Sequence, residues 1–331
     1  MRTLRFCTTV LVRLLANTLP TNAHGNETLT VAKSGLQPAT VSFPSGNGSV
    51  VGHLYLPENY NSSKRYPAVA VAGSFSSVKE MMAGIYAGEM SRRGVMALSI
   101  DYRNYGQSSG ILRQYEDPES KAADLSAALK FLASRPDVAG TGLLGICTSG
   151  GTVLYTAVND PHVKAVATVV GSFKAPAKSA ELYGGDEGIV LRRAAGLEAR
   201  ELYERTHELK FIRAYSSTEN TTVNYGPQAY YDDPARGGSV RAWRNDVAVL
   251  SWNAWFTFDP VSRAPLVKTP TLMIHSENAA FPDQARAVYD GLAGEKKIIW
   301  TNGTHYDFYD RAERVHFSAD RVAAHFQALL K

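Results

Sequence analysis

The sequence predicts an α/β domain in which a mostly parallel, twisted sheet is covered by helices on both faces. Three observations lead to this prediction. Short apolar runs typical of buried strands alternate with longer segments whose apolar residues recur at helical spacing. One of these runs stops abruptly at Cys147, within a cluster of small residues. The alternation breaks off at about residue 173 and resumes at about residue 264, which indicates an inserted segment.

The first half of the chain predicts a hairpin followed by strands and helices in turn. Asn47-Gly48, between two β-like runs, is a typical hairpin turn, and Pro136 ends a strongly amphipathic helix. The predicted elements are strands over 40–43, 49–56, 67–72, 95–100, 142–146 and 163–170, and helices over 79–93, 120–135 and about 152–158.

The sequence after residue 172 predicts an inserted segment, followed by further strands of the main sheet. We expect a core over 39–172 and 264–331, and a lid over 173–263 that is helical over 181–208 and 241–255. Its three tryptophans either pack the lid onto the core or line an acyl pocket; they are Trp243, Trp252 and Trp255. The sheet resumes with strands over 271–274 and 297–300 and helices over 283–292 and 312–330.

Composition narrows the possible classes of protein. A chain of 331 residues with 44% hydrophobic and 20% charged residues is typical of a globular protein with one large domain. The formal net charge is only +4, and no basic stripe is interleaved with aromatic residues, so we expect no nucleic-acid partner. No Rossmann glycine pattern, P-loop or metal-ligand cluster occurs, and we therefore expect no cofactor and no metal.

The amino terminus predicts a leader or an unstructured segment over residues 1–26. This segment is basic, and Arg13 interrupts the apolar core that a secretory signal would need. A glycan on the acceptor Asn302 would crowd His305, so a cytoplasmic protein is favoured, and a secreted one is the alternative if the segment is a signal peptide. No apolar stretch approaches the roughly 20 residues that span a bilayer, so we expect no transmembrane segment.

Cys147 is the strongest candidate for a nucleophile. An apolar strand that ends at a reactive side chain and leads into a helix is the pattern of a nucleophile elbow. Because that turn is crowded, the positions two before and two after must be small, as Gly145 and Ser149 are. A second register makes Ser149 the nucleophile, flanked by Cys147 and Gly151; glycine suits the crowded position better, which favours Cys147. The alternative is a buried free cysteine without a catalytic role.

His305 is the best candidate for the general base. It lies in a glycine-containing loop after the last strand, at the edge of the sheet where the elbow is expected, and His275 at a strand end is its competitor. A base of this kind needs an orienting acid, expected between nucleophile and histidine in the chain. Glu277 is nearest the strand end, and Asp283 is the alternative, although it resembles a helix N-cap.

Attack on a carbonyl produces an oxyanion, which two backbone N–H groups would stabilise. We expect one from Thr148, directly after the nucleophile. The other is expected from Ser74 or Phe75, in the loop after the strand over 67–72.

Together these segments resemble the α/β-hydrolase fold over residues 39–331. Within that superfamily the chain looks like the branch of fungal polyketide transferases and thiohydrolases, with bacterial dienelactone-hydrolase-like relatives. Ser149 departs from the glycine that relatives often have, which keeps the serine register open. The resemblance rests on Gly145-Ile146-Cys147-Thr148-Ser149-Gly150-Gly151, Asp101-Tyr102-Arg103-Asn104-Tyr105-Gly106-Gln107-Ser108, Val78-Lys79-Glu80 and Thr304-His305-Tyr306-Asp307-Phe308-Tyr309-Asp310.

The resemblance implies an enzyme that hydrolyses or transfers an acyl group through a covalent acyl-enzyme with a Cys-His-acid triad. The substrate it implies is a polyketide thioester presented by the acyl carrier domain of a synthase, in secondary metabolite biosynthesis. Two alternatives stay open: a general carboxylester or lactone hydrolase, and a non-catalytic hydrolase-fold protein that binds a ligand.

Overall fold

The computed structural model of the protein describes residues 27–31 and 37–331; the predicted leader over 1–26 lies outside the described residues. Up to residue 172 the described chain alternates strands and helices, as the apolar periodicity predicts. The elements are β1 (Ala39–Ser45), β2 (Gly48–Tyr55), β3 (Tyr66–Ala72), α1 (Met82–Arg92), β4 (Met96–Asp101), α2 (Pro118–Ala133), β5 (Val138–Ile146), α3 (Thr148–Asn159) and β6 (Ala165–Val169).

Residues 173–263, which we call the inserted segment, contain mostly helices. Four short strands within them pair as two small sheets, Phe211–Arg213 with Asp246–Ala248 and Tyr215–Ser216 with Asn224–Tyr225. These elements are α4 (Pro176–Tyr183), α5 (Gly185–Thr206), β7 (Phe211–Arg213), β8 (Tyr215–Ser216), β9 (Asn224–Tyr225), α6 (Ala229–Asp232), β10 (Asp246–Ala248), α7 (Trp252–Trp255) and α8 (Pro260–Arg263).

The helix predicted over 241–255 is wrong for most of its length. Residues Asp246–Ala248 pair antiparallel with β7, so their backbone groups bond across strands, and a 3₁₀ turn over Val249–Ser251 follows. Only Trp252–Trp255 is α-helical. A long-range pairing therefore overrides the local helical pattern.

The chain then returns to the main sheet and ends in a long helix. The remaining elements are β11 (Thr271–His275), α9 (Pro282–Gly291), β12 (Lys296–Trp300), α10 (Asp307–Asp310) and α11 (Ala312–Leu329). The main sheet has eight strands in the order β1-β2-β4-β3-β5-β6-β11-β12. The β1/β2 and β2/β4 pairs are antiparallel, and all other neighbours are parallel. This sheet confirms the predicted fold class.

The sheet is buried on both faces. Along β3, Val69 and Val71 pack into the cluster that includes residues of α1 and α11, whereas Ala68 and Ala70 face the cluster that includes residues of α2, α3 and α9. Each fully buried aliphatic side chain contributes about 1.5–3 kcal/mol to the free energy of unfolding. Of the helices in the described ranges, none combines the length and the apolar composition needed to cross a membrane.

Helix α1 begins at Met82, three residues later than the sequence predicts, because Lys79 forms hydrogen bonds with Asp101 and does not join the helix. Its backbone N–H and its Nζ each donate to the carboxylate of Asp101 at 2.8 Å, and both side chains are fully buried. Asp101 ends β4, so this ion pair fixes the loop after β3 to the adjacent strand. The same loop carries the candidate oxyanion donors.

Candidate active site

Cys147 forms a sharp turn between β5 and α3. Its backbone angles are φ 55° and ψ −123°, a region that residues with a side chain rarely adopt. Three backbone hydrogen bonds hold it there: its N–H donates to Val169 at 3.1 Å, and its carbonyl accepts from Gly150 at 2.9 Å and from Ser172 at 2.8 Å. A strained residue fixed this firmly is typical of a functional turn.

The crowding that the sequence predicts around this turn is present. A Cβ on Gly145 would overlap the carbonyl group of Ser149, and a Cβ on Gly150 would lie 2.7 Å from the Cα of Gly171. Glycine is therefore required two residues before Cys147. This is the spacing expected if Cys147, and not Ser149, is the residue at the elbow.

Ser149 faces away from this site. Its side chain is 2% exposed, and its hydroxyl lies 2.8 Å from the hydroxyl of Tyr102. Tyr102 packs in the cluster with α2 and α3, whereas Cys147 packs in the cluster on the other face. The structure thus separates the two candidate nucleophiles onto opposite sides of the elbow.

His305 lies in the loop between β12 and α10, on the same side as Cys147. Its Nδ1 accepts a hydrogen bond from the N–H of Ala280 at 3.2 Å, and its Nε2 lies 3.0 Å from the hydroxyl of Tyr309. Since Nδ1 acts as an acceptor, the neutral ring carries its proton on Nε2 and donates it to Tyr309. Burial lowers the pKa of His305 to about 4, so the ring is neutral at pH 7.

Tyr309 lies near both the histidine and the thiol. It is in α10, four residues after His305, and its buried hydroxyl lies 3.0 Å from Nε2 of the imidazole and close enough to Cys147 to lower the pKa of the thiol. Tyr309 is part of the motif over 304–310, but the sequence predicts no role for it in the site. The four-residue spacing was the available signal, since residues so spaced share one side of a helical turn.

The thiol of Cys147 is buried, and burial raises its pKa. Hydrogen bonds from Tyr309 and Thr148 and the positive charge of Lys174 oppose this effect. The Thr148 hydroxyl lies 3.7 Å from the sulfur. The resting side chain is therefore a protonated thiol surrounded by groups that favour its anion.

Neither predicted acid reaches His305. Glu277 is more than half exposed and pairs with Arg286, while Asp283 is also exposed, lies 3.7 Å from Lys178 and accepts from Gln284. The loop after β11 turns so that the backbone N–H of Ala280, and not a carboxylate, meets Nδ1. This geometry corrects the expectation that Glu277 or Asp283 orients the histidine.

His275, the competing base, is held by backbone. It is 1% exposed, and its ring nitrogens lie 3.0 Å from the carbonyl of Ser276 and 3.2 Å from that of Gly171. Burial lowers its pKa to about 4. The structure links this ring to carbonyl oxygens, so it supports the loop after β6 and does not reach the thiol.

Two tyrosines of the inserted segment hold the loop that carries the candidate oxyanion donors. The Ser74 hydroxyl lies 2.6 Å from that of Tyr231, which donates to Tyr215 at 3.2 Å, and Tyr215 donates to the carbonyl of Phe75 at 2.9 Å. Within residues 37–331, the backbone N–H groups of Ser74 and Phe75 donate no hydrogen bond. The candidate oxyanion donors in this loop thus have no competing acceptor among the described residues, and the third candidate, Thr148, directly follows Cys147 as the first residue of α3.

In the ranges that the structure describes, no three His, Cys, Asp or Glu side chains are grouped as metal ligands would be.

Comparisons with known proteins agree with this architecture. The family described as X-Pro dipeptidyl-peptidase (S15 family) matches residues 47–307. Serine is the usual nucleophile of that family, whereas this chain has cysteine at the elbow.

Individual relatives cover most of the chain. The uncharacterized protein PA2218 of Pseudomonas aeruginosa is 30% identical over 317 residues, 86% of this chain and 79% of the relative. Its crystal structure matches with a TM-score of 0.77 at 25% identity, covering 95% of this chain and 99% of that one. The α/β hydrolase GrgF of Penicillium sp. sh18 matches with a TM-score of 0.72 at 19% identity, covering 89% and 99%, which supports the fold alone.

A curated fungal relative carries a functional name. Thiohydrolase aneE of Aspergillus aculeatus is 33% identical over 256 residues, 75% of this chain and 79% of the relative. With the elbow, the parallel sheet and the match over 47–307, the chain belongs to the X-Pro dipeptidyl-peptidase (S15) family of α/β-hydrolase enzymes and is similar to fungal thiohydrolases.

Proposed function

We propose that the protein is an acyl-thioester hydrolase or acyltransferase in which Cys147 is the nucleophile and the substrate is a polyketide chain of secondary metabolism. The observation that carries this proposal is the thiol at the strained elbow, with the hydroxyl of Tyr309, which is 3.0 Å from His305, close enough to lower the pKa of the thiol. The names of similar fungal proteins support the substrate class: thiohydrolase aneE, acyltransferase drtE and polyketide transferase claH.

The reaction proceeds by exchange of one thioester for another. The sulfur of Cys147 attacks the thioester carbonyl, and the N–H groups of Thr148 and of Ser74 or Phe75 stabilise the oxyanion. Collapse breaks the original carbon–sulfur bond, and the leaving thiol takes the proton that Cys147 loses. Water or an alcohol then attacks the acyl-enzyme, returns a proton to Cys147 and releases an acid or an ester.

Tyr309 and His305 act together on the sulfur. Because Nε2–H donates to the phenol oxygen, the O–H of Tyr309 is free to point at Cys147 and stabilise its thiolate. For His305 to act as a base at Nε2, its proton must move to Nδ1, which breaks the hydrogen bond from Ala280. The geometry therefore supports His305 as the residue that positions Tyr309. An orienting carboxylate is not needed in this arrangement, because the backbone selects the tautomer.

The inserted segment acts as a lid in this proposal. Its tyrosines contact the loop over the elbow, and the cavity between Phe75 and Trp255 measures about 10 Å³, the space of at most one water molecule. An acyl chain enters only after these side chains move. Lid opening of this kind controls turnover in many enzymes.

The test is turnover of acyl-N-acetylcysteamine thioesters and matched acyl ethyl esters, with released thiol or acid measured and the acylated peptide identified by mass spectrometry. We expect an acyl adduct on Cys147 and a fall in kcat/KM of about 10³-fold or more in Cys147→Ala. Ser149→Ala is the matched control at the elbow, and Cys7→Ser is the control for the second thiol.

Three results would contradict the proposal in different ways. An adduct on Ser149 would restore the serine register. Faster turnover of the esters than of the thioesters would indicate a general carboxylester hydrolase. An enzyme that turns over neither substrate class and forms no adduct would be a hydrolase-fold binding protein.

A further inference from the structure

Lys174 is a buried cation at the edge of the site. It is 5% exposed and lies in the loop after β6, at the carboxyl edge of the sheet. Two residues earlier, the N–H of Ser172 donates to the carbonyl of Cys147 at 2.8 Å. The backbone therefore fixes this loop, and Lys174 with it, against the elbow.

The other buried lysines have carboxylate partners. Lys79 pairs with Asp101 and Glu80, and Lys121 pairs with Glu116. In the part of the chain that the structure describes, Lys174 has neither a carboxylate within ion-pair distance nor a hydrogen-bond acceptor. The Nζ atom of Lys174 is not among the fully buried polar atoms that lack a partner, so the apolar stem is covered while the ammonium group keeps some contact with solvent.

Two aromatic rings hold the ammonium group of Lys174 in place. Its Nζ lies 4.6 Å from the ring centre of Trp255 and 5.8 Å from that of Phe281. These cation–π contacts leave its hydrogen-bond donors unused. Trp255 also packs edge-on against Phe75, with ring centres 4.8 Å apart. The cation thus lies beside the loop that carries the oxyanion donors.

We propose that Lys174 binds a carboxylate carried by the acyl group of the substrate, a few bonds from the thioester carbonyl. This inference rests on the proposed function and adds the acidic character of the acyl chain to it. The position favours a carboxylate over the phosphate of a carrier's prosthetic arm, because that phosphate is many bonds from the reacting sulfur, whereas the loop that carries Lys174 is hydrogen-bonded to the carbonyl of Cys147 through Ser172. The aromatic rings beside the cation reduce its contact with water, which strengthens the charge-assisted hydrogen bonds to a bound carboxylate.

The test compares glutaryl-N-acetylcysteamine with its monomethyl ester, two thioesters of nearly the same shape that differ in one negative charge. We expect the wild type to prefer the free acid, and Lys174→Met to lower the ratio of the two kcat/KM values by about tenfold or more. Lys174→Arg should retain part of the preference. Lys178→Met, which removes a lysine paired with Glu181 on α4, should leave the ratio unchanged.

Stability distinguishes a binding role from a structural one. Lys174→Met should not lower the Tm, since the charge that it removes has no carboxylate partner and methionine keeps the apolar stem that packs on the rings. A lower Tm together with an unchanged ratio would overturn the proposal. An equal loss on both thioesters, with slower alkylation of Cys147 by iodoacetamide, would also overturn it and would make Lys174 a partner of the thiolate.

Binding separates this inference from the proposed function. Free glutarate is titrated calorimetrically into Cys147→Ala and into the double variant with Lys174→Met. Binding of glutarate to Cys147→Ala but not to the double variant supports the carboxylate site. This holds even if no thioester is turned over, in which case only the proposed function fails. Equal or absent binding in both variants would overturn the inference whatever the thioester assay shows.

Discussion

Tyr309 is near both the thiol of Cys147 and the imidazole of His305. Its hydroxyl lies 3.0 Å from Nε2 and lowers the pKa of the thiol, and among the described residues His305 itself makes no hydrogen bond to the sulfur. A carboxylate usually selects the tautomer of such a histidine. Here the N–H of Ala280 does so from the backbone. A backbone N–H thus takes the place of the carboxylate side chain that usually orients such a histidine.

We expect Tyr309→Phe to lower kcat by roughly 100-fold with little change in KM, because it removes the hydroxyl and keeps the packed ring. Stopped-flow measurement of thiol release gives both constants. Tyr306→Phe is the matched control: its hydroxyl donates to Gln228 in the inserted segment and not to the site. Equal losses in the two variants would show that the tyrosine cluster matters only for packing.

At the scale of elements, a buried ion pair joins the inserted segment to α10. Arg236 donates two hydrogen bonds to Asp310, at 2.9 and 2.5 Å, and a third to the carbonyl of Tyr306 at 2.8 Å. Asp310 directly follows Tyr309, so the pair fixes the helix that carries the phenol. The described segment 27–31 adds to this anchor, since Leu29 donates to the carbonyl of Asp310 at 2.7 Å.

We expect Arg236→Met to lower the free energy of unfolding by about 3–5 kcal/mol, because Asp310 is left buried and unpaired. The double variant with Asp310→Leu should recover most of that loss, since both charges are then gone. Urea unfolding of the wild type, the two single variants Arg236→Met and Asp310→Leu, and the double variant gives the coupling energy between the two side chains. Arg244→Met, which breaks the more exposed pair with Asp246, should cost less than about 1 kcal/mol. Similar losses in Arg236→Met and Arg244→Met would mean that the buried pair is not an anchor.

At the scale of the whole molecule, the sequence predicts the sheet and the elbow because both leave local signals. Buried parallel strands read as apolar runs, and the crowded turn demands the glycine at 145. The hydrogen bond from Ala280, the pairing of Glu277 with Arg286 and the strand that replaces a predicted helix depend on how distant segments meet. Periodicity and spacing carry no information about such meetings, so the sequence could not show that a backbone N–H and not a carboxylate meets His305.

The same burial that shapes the site makes the protein sensitive to acid. His275 is almost fully buried, and its pKa falls from 6.5 to about 4, so the unfolded chain binds a proton that the native state does not between these values. Each pKa unit corresponds to about 1.4 kcal/mol. The free energy of unfolding above pH 6.5 therefore includes about 3 kcal/mol from this histidine, which is lost as the pH falls from 6.5 through 4. Urea unfolding at several pH values should show that the free energy of unfolding decreases as the pH falls over this window. We expect a shallower decrease in His275→Gln. His207→Gln, a change at an exposed position of the inserted segment, is the control and should keep the wild-type slope. An unchanged slope in His275→Gln would mean that burial does not lower the pKa of His275 in the native state.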